Sequence, residues 1–184
     1  TAMVTGGAVR LGRAICEALA ARGCGVVIHC RKSRREADGL VAAIRNNGGR
    51  AWTVAGDLAT ERGCVSAMKL ARRSAGRLDI LVNNASVFDC GDIAGTDGAG
   101  AIAGLRVNLL APLLLMREFA GQTSSGGIVN LLDTRIAGNQ PGCAAYLVSK
   151  KALADLTRIA ALELAPGITV NGVAPGPVLP PVAG

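Results

Sequence analysis

Short apolar runs alternate with longer amphipathic stretches along the whole chain. Residues 1–5 (TAMVT), 25–30 (GVVIHC), 51–55 (AWTVA), 79–83 (DILVN), 127–132 (GIVNLL) and 168–174 (ITVNGVA) are short apolar runs that predict strands. Between them the spacing predicts helices at about 10–22, 34–47, 60–75, 97–120 and 145–164. Strands separated by helices imply right-handed βαβ crossovers and therefore a parallel sheet. The strand runs lack strict polar alternation, as expected when both faces are covered. The expected class is α/β: a doubly wound parallel sheet with helices on both faces. No linker or internal repeat interrupts the pattern, so 1–184 reads as a single domain.

The weakest helix is the fourth. Its entry, GDIAGTDGAGAIAG (91–104), carries five glycines, and each inside a helix costs roughly 1 kcal/mol relative to alanine. That helix should fray or start late, and the glycines fit a tolerant surface better than a hinge. The longest apolar region, LRVNLLAPLLLM (105–116), is broken by Arg106, Asn108 and Pro112 and reads as too short and too polar to span a bilayer.

Half the residues are apolar and 18 % are charged, so the chain should be globular and ordered. The six cysteines form no C-x-x-C pair and no zinc spacing with the single histidine, His29, so no metal site is expected. Reduced thiols in a cytoplasmic protein are the simplest reading. The chain opens inside a strand pattern with no signal-peptide pattern. Thr1 stands where an initiator Met would, so that end reads as trimmed or cut. The net charge of +7 raises nucleic acid as a partner, and the densest basic run is RKSRR (31–35).

Position decides what that run does. MVTGGAVRLGRAI (3–15) reads strand, glycine-rich turn, helix. Gly6, Gly7 and Gly12 would let helix N-terminal N–H groups approach a pyrophosphate. Arg10 either pairs with a phosphate or anionic substrate edge, or is a surface arginine on the first helical turn. The basic run then follows the second strand, where a dinucleotide site tests the adenosine ribose. Arg31, Lys32 and Ser33 offer two cations and a hydroxyl and no carboxylate. They would attract a 2′-phosphate, so NADP(H) is the expected cofactor and nucleic acid falls to a minor alternative. His29 reads as a strand residue, and Trp52 as core of the third strand.

The only tyrosine, Tyr146, stands four residues before Lys150, on one face of a helix. A phenol titrates near ~10, and an adjacent ammonium would lower that value enough for general acid catalysis.

The motifs TGGAVRLG, GDL (56–58), NNAS (83–86), Asn108, YLVSK (146–150) and NGVAPGPV (171–178) come in the order and spacing of one family. The chain resembles the short-chain dehydrogenase/reductase family over essentially its whole length. The resemblance implies a Rossmann fold with Gly6, Leu11 and Gly12 in the cofactor turn and Asp57 and Leu58 beside the adenine. It also implies Asn84, Ala85 and Ser86 along the cleft, Asn108 holding a helix kink and a water leading to Lys150, and Lys150 on the nicotinamide ribose. Pro175 and Gly176 would flank the nicotinamide. Relatives of the family continue past the PGPV stretch, so the chain reads as lacking a C-terminal strand. The helices at 97–120 and 145–164 suit the dimer or tetramer interface of such relatives.

One departure narrows the resemblance. The position thirteen residues before the tyrosine, usually serine in the family, is Asp133. A carboxylate there would raise the phenol's pKa, which is unhelpful for a ketone unless Lys150 outweighs it. It suits a substrate with a ring nitrogen, and the pattern resembles the pteridine reductase branch. Arg10, HCRKS (29–33), NNASVF (83–88) and AALELAP (160–166) agree with that branch. Phe88 either stacks a flat pterin or is a loop hydrophobe tucked onto the core. The expected function is NADPH-dependent hydride transfer to a pterin-like C=N or a carbonyl, with Tyr146 as proton donor. Substrate contacts would come from Arg10, Ser86, Phe88, Asp133 and Tyr146. A general carbonyl or 3-oxoacyl reductase, or a non-catalytic dinucleotide-binding protein, are the alternatives.

Overall fold

A computed structural model of the chain describes residues 1–178. Its strands are β1 (Ala2–Val4), β2 (Val26–Cys30), β3 (Ala51–Ala55), β4 (Ile80–Asn83), β5 (Gly126–Leu131) and β6 (Ile168–Val173). They form one sheet in the order β3-β2-β1-β4-β5-β6, and every neighbouring pair is parallel. The helices are α1 (Arg10–Ala21), α2 (Arg34–Asn46), α3 (Glu61–Ala75), α4 (Gly98–Leu105), α5 (Ala111–Ala120) and α6 (Ala144–Glu163). A π-helical turn, Arg106–Leu110, joins α4 to α5, and a 3-10 turn, Thr134–Ala137, follows β5. These boundaries lie within about two residues of the expected ones. The doubly wound α/β reading therefore holds. The C-terminal strand read as lacking would follow Gly184 and so falls outside the described residues.

Successive strand residues point to opposite faces, and both faces are dry. Met3 and Val27 pack with Met68, Leu115 and Phe119 under α3, α5 and α6. Val4, Val26 and Ile28 pack with Cys16, Leu40 and Ile44 under α1 and α2. Covering on both sides is why the strand runs show no polar alternation.

The fourth helix starts late, as its glycines imply. Residues 84–97 form no helix or strand, and α4 begins at Gly98 only where Asp97 caps it. The Asp97 carboxylate accepts from Ala99 N at 3.2 Å and Gly100 N at 2.8 Å, offsetting part of the glycine cost. Gly98–Ala120 is long and apolar enough by itself to cross a bilayer, a correction to the reading from 105–116 alone. In this fold Leu115, Met116 and Phe119 spend that apolarity on the sheet instead.

Strand β1 lies between β2 and β4, so the chain leaves it in opposite directions on either side. A crevice opens at the carboxyl ends of β1 and β4, and such a switch point is where doubly wound sheets bind ligands.

Candidate active site

The crevice is built around the turn after β1. Gly6 has φ +60°, a left-handed conformation that L side chains rarely adopt. At Gly12 a Cβ would be driven into the Gly6 carbonyl oxygen and the Asn84 side chain. Both positions need glycine for stated reasons. Arg10 also adopts a positive φ, 51°, at the first residue of α1, a conformation that costs a non-glycine residue roughly 1 kcal/mol or more.

Thr5 ties this turn to the end of β4. Its Oγ1 accepts from Asn84 N and Ala85 N, each at 2.9 Å. The Asn84 amide donates back to Thr5 O at 2.8 Å and Gly6 O at 3.2 Å. His29, buried in β2, braces the other side. Its Nδ1 accepts from Gly6 N at 3.3 Å, which leaves Nε2 to donate to Gly56 O at 3.2 Å. Burial pulls the His29 imidazole down to about 4, so it is neutral. The sequence identified His29 as a strand residue and missed its role as a strut. Neither Thr5 nor His29 carries a spacing signal, because each acts through a backbone partner distant in the chain.

A cavity of about 360 Å³ results, bounded by Gly6, Arg10, Leu11, Gly12, Arg31, Asp57, Leu58, Asn84, Ala85 and Ser86, with His29 at its wall. Arg31 reaches to 4.0 Å from Asp57, both side chains half-exposed. Lys32 and Ser33 do not line the cavity. Ser33 is the N-cap residue of α2, with no side-chain cap bond. Pro175 and Gly176 lie past β6, where Pro175 O accepts from Thr134 N at 3.4 Å.

Asn108, Asp133, Tyr146 and Lys150 do not line that cavity; they form a second group, joined to it where Asn108 bonds Ser86 and Val87. Tyr146 Oη donates to Asp133 Oδ2 at 2.9 Å, and Asp133 Oδ1 accepts from Arg135 N at 2.8 Å. Burial, then the bond to Asp133 and its charge, push the phenol well above its ordinary range. Lys150 shares the helix face, yet its ammonium donates to Leu131 O at 2.8 Å and lies 5.9 Å from the Tyr146 ring centre. Lys150 is not among the groups that shift the phenol, so the expected acidification by Lys150 is corrected here. The charge that lowers it is Arg135. Lys150 itself is drawn down to about 8 by burial, against the opposing pull of Asp133.

Asn108 sits in the π-helical turn. Its Oδ1 accepts from Val87 N at 2.8 Å and Ser86 Oγ at 3.0 Å. Its Nδ2 donates to Val87 O at 2.9 Å and Ser149 Oγ at 3.1 Å. It therefore ties the Ser86 segment to α6, one residue from Lys150.

Phe88 is 57 % exposed, which removes the reading as a hydrophobe tucked onto the core. Its ring meets Tyr146 edge to face at 4.7 Å, and the Arg135 guanidinium lies 5.1 Å from the ring centre. Arg135 went unread in the sequence, although its place two residues after Asp133 was a usable signal.

The thiols also differ from expectation. Cys16, Cys24, Cys30 and Cys64 are free, but Cys90 and Cys143 form a disulfide. The reading of six reduced thiols weighed sequence spacing, whereas the fold brings the Ser86 segment and the start of α6 together across 53 positions.

A doubly wound parallel sheet with a glycine cradle at its switch point has the architecture of a nucleotide-binding cleft. The short chain dehydrogenase family model matches residues 1–184, and the chain belongs to that family. Pteridine reductase 1 of Leishmania tarentolae is 36 % identical in an alignment that covers 95 % of this chain and 75 % of that one. The 3-oxoacyl-[acyl-carrier-protein] reductase of Synechocystis is 34 % identical over 95 % of this chain and 72 % of its own length. The crystal structure of FolM alternative dihydrofolate reductase 1 from Brucella suis, in complex with NADP, is 37 % identical. It superposes with a TM-score of 0.93 over 97 % of this chain and 76 % of that one.

The neutral, buried His29 makes a testable linkage. Its value falls from 6.5 unfolded to about 4 folded. Stability present above pH 6.5 is therefore lost as pH falls, because the unfolded chain takes the proton first. The loss should approach about 3 kcal/mol by pH 4. Urea unfolding at pH 7 and pH 4 should show this slope in the native chain and a shallower one in His29→Gln.

Proposed function

We propose that the protein is an NADPH-dependent reductase that delivers hydride to a flat, nitrogen-containing heterocycle of the pterin class. The observation that carries this reading is the Tyr146–Asp133 hydrogen bond beside an exposed Phe88. A carboxylate placed 2.9 Å from the phenol opposes its ionisation, so Tyr146 is a poor sole proton source for a plain ketone, and Arg135 is the charge that offsets the effect. The same group can accept from a ring N–H as a carboxylate, or pass a proton to a ring nitrogen once it has itself taken one up.

The residues present fit the cofactor. Gly6 and Gly12 let the turn pack closely on itself and on Asn84, which sets the start of α1 where a pyrophosphate would meet it. Arg31, at the cavity rim, supplies a cation for a 2′-phosphate, with Lys32 and Ser33 following it. When bound, the dihydronicotinamide supplies the hydride. Tyr146 holds a proton at Oη through the neutral range and acts as donor, while Asp133 orients that hydroxyl. Lys150 places its charge toward the ribose side, Asn108 fixes Ser86 and α6, and Phe88 offers a ring face to the substrate. Arg10 and Ser86 line the cofactor cavity and would meet the substrate from that side. NADP in the Brucella neighbour, and the activity named for the Leishmania relative, support this reading. A cytoplasmic location fits it.

An assay of NADPH oxidation with dihydropterin, quinonoid pterin and ketone substrates separates this reading from a general carbonyl reductase. Pterin turnover is expected, and Tyr146→Phe should lower kcat by at least about 100-fold. Ketone turnover alone would overturn the pterin assignment. Replacing Arg31 with Asp and Lys32 with Ala should weaken NADPH far more than NADH. Equal loss of both would take the 2′-phosphate away from these residues.

The ionisation of Lys150 sets a pH limit. Its charge is present below about 8 and lost above it. The kcat/KM for reduction should therefore fall as pH rises through that value. A profile flat across it would remove the ammonium from the mechanism.

A homo-oligomer belongs to the same reading. Ile102, Leu110 and Leu113 of the α4–α5 rod and Val148, Ile159 and Leu162 of α6 are exposed, Leu162 at 82 %. Such apolar faces suit a second copy of the chain. Light scattering of the intact protein should return a dimer or tetramer mass, and a monomer would refute it.

A further inference from the structure

Residues 89–97 are held to the rest of the molecule in an unusual way. Every other hydrogen bond described for this stretch is local, reaching no farther than four positions. Ahead of it, Asn108 fixes Ser86 and Val87. Among the described residues, the bond from Cys90 to Cys143 is what anchors the segment itself. It joins the residue two positions after Phe88 to the residue three positions before Tyr146.

The other cysteines have no such position. Cys16, Cys30 and Cys64 are buried in the layers of the fold, and burial pushes Cys16 up to about 12 and Cys64 up to about 11. Those thiols are poor nucleophiles. Cys90 is exposed and Cys143 half-buried, so a thiol reagent can reach the pair. Cys143 is also the N-cap residue of the twenty-residue α6, where the helix end favours a thiolate.

We propose that Cys90 and Cys143 form a redox-modification site for low-molecular-weight disulfides of the glutathione class, and that its closure holds the Phe88 platform against Tyr146. The Cys143 thiolate attacks a sulfur of oxidised glutathione, forming a mixed disulfide and releasing one glutathione thiolate. The Cys90 thiolate then attacks the Cys143 sulfur, the mixed disulfide breaks, and the second glutathione thiolate leaves. The two thiol protons pass through solvent to the released thiolates. Two protein thiols are oxidised and one glutathione disulfide is reduced. In the closed form Cys90 and the helix of Tyr146 move as one unit, which keeps the Phe88 and Tyr146 rings in register. In the open form the segment from Phe88 to Asp97 loses its anchor. The effect on turnover rests on the reading of Phe88 as the substrate platform, and the bond itself does not.

Full-length chain poised in oxidised or in reduced glutathione would be denatured, alkylated with iodoacetamide and weighed. Four modified cysteines are expected in the oxidised sample and six in the reduced one. Digestion of native protein with a protease that cuts before aspartate should be slow at Asp89, Asp92 and Asp97 in the oxidised state and fast in the reduced state. The double variant Cys90→Ser, Cys143→Ser should be cut fast in both. For the pterin substrate, KM should rise several-fold on reduction with kcat nearly unchanged. Six alkylated cysteines in both poises, or equal cleavage in both, would overturn the site. If no pterin is turned over, the functional reading fails, while alkylation and proteolysis still decide this one.

Discussion

The site depends on a short meeting of two strand ends. Parallel strands that diverge at a switch point leave polar backbone groups facing a crevice, and those groups need partners. Thr5 supplies them. Its hydroxyl donates to Val82 O at 3.3 Å and accepts from two successive N–H groups after β4, which exhausts a hydroxyl's capacity. With the Asn84 amide returning to Thr5 and Gly6, the glycine turn is held in a backbone conformation that Gly6 alone could also abandon. A floppy turn would have to be ordered by its ligand, whereas this one is already in shape.

The second organising feature is electrostatic. Asp133 is anchored twice, by the Arg135 amide and by the Tyr146 hydroxyl, so its carboxylate cannot swing away from the crevice. This costs the phenol its acidity and leaves Arg135 as the nearby cation that partly compensates. Lys150 answers to a different partner, the Leu131 carbonyl at the end of β5. Tyrosine and lysine thus share a helix face but are held by different partners. Phe88 packs edge to face on Tyr146, with the Arg135 guanidinium over the Phe88 ring.

Much of this was legible in the residues. Strands covered on both faces leave long apolar runs, so all six were placed from pattern, and the glycines at 6 and 12 carried the turn. The crevice gathered ten of the expected cofactor positions, from Gly6 to Ser86, because these lie on elements whose order is set by βαβ handedness. What stayed hidden shares one cause. Thr5 and His29 act through spatial neighbours that no spacing rule connects, and Cys90 and Cys143 stand 53 positions apart in the chain. The role of Lys150 was misjudged for the related reason that helical periodicity reports a shared face and not where a long, flexible chain ends. Lys32 and Ser33 were placed by analogy with a position, and only Arg31 of that run faces the cavity.

The π-helical turn at Arg106–Leu110 carries a consequence of its own. An α-helix advances about 100° per residue, and a π turn absorbs one extra residue without breaking the rod. That surplus residue is what lets Asn108 face Val87 and Ser149 while Leu115 and Phe119, farther along, still face the sheet. Side-chain exchange along this rod leaves its phase intact. Loss of a single residue would not: it would regularise the helix and twist Asn108 and the sheet-facing leucines out of step, so here the number of residues is under tighter constraint than their identity.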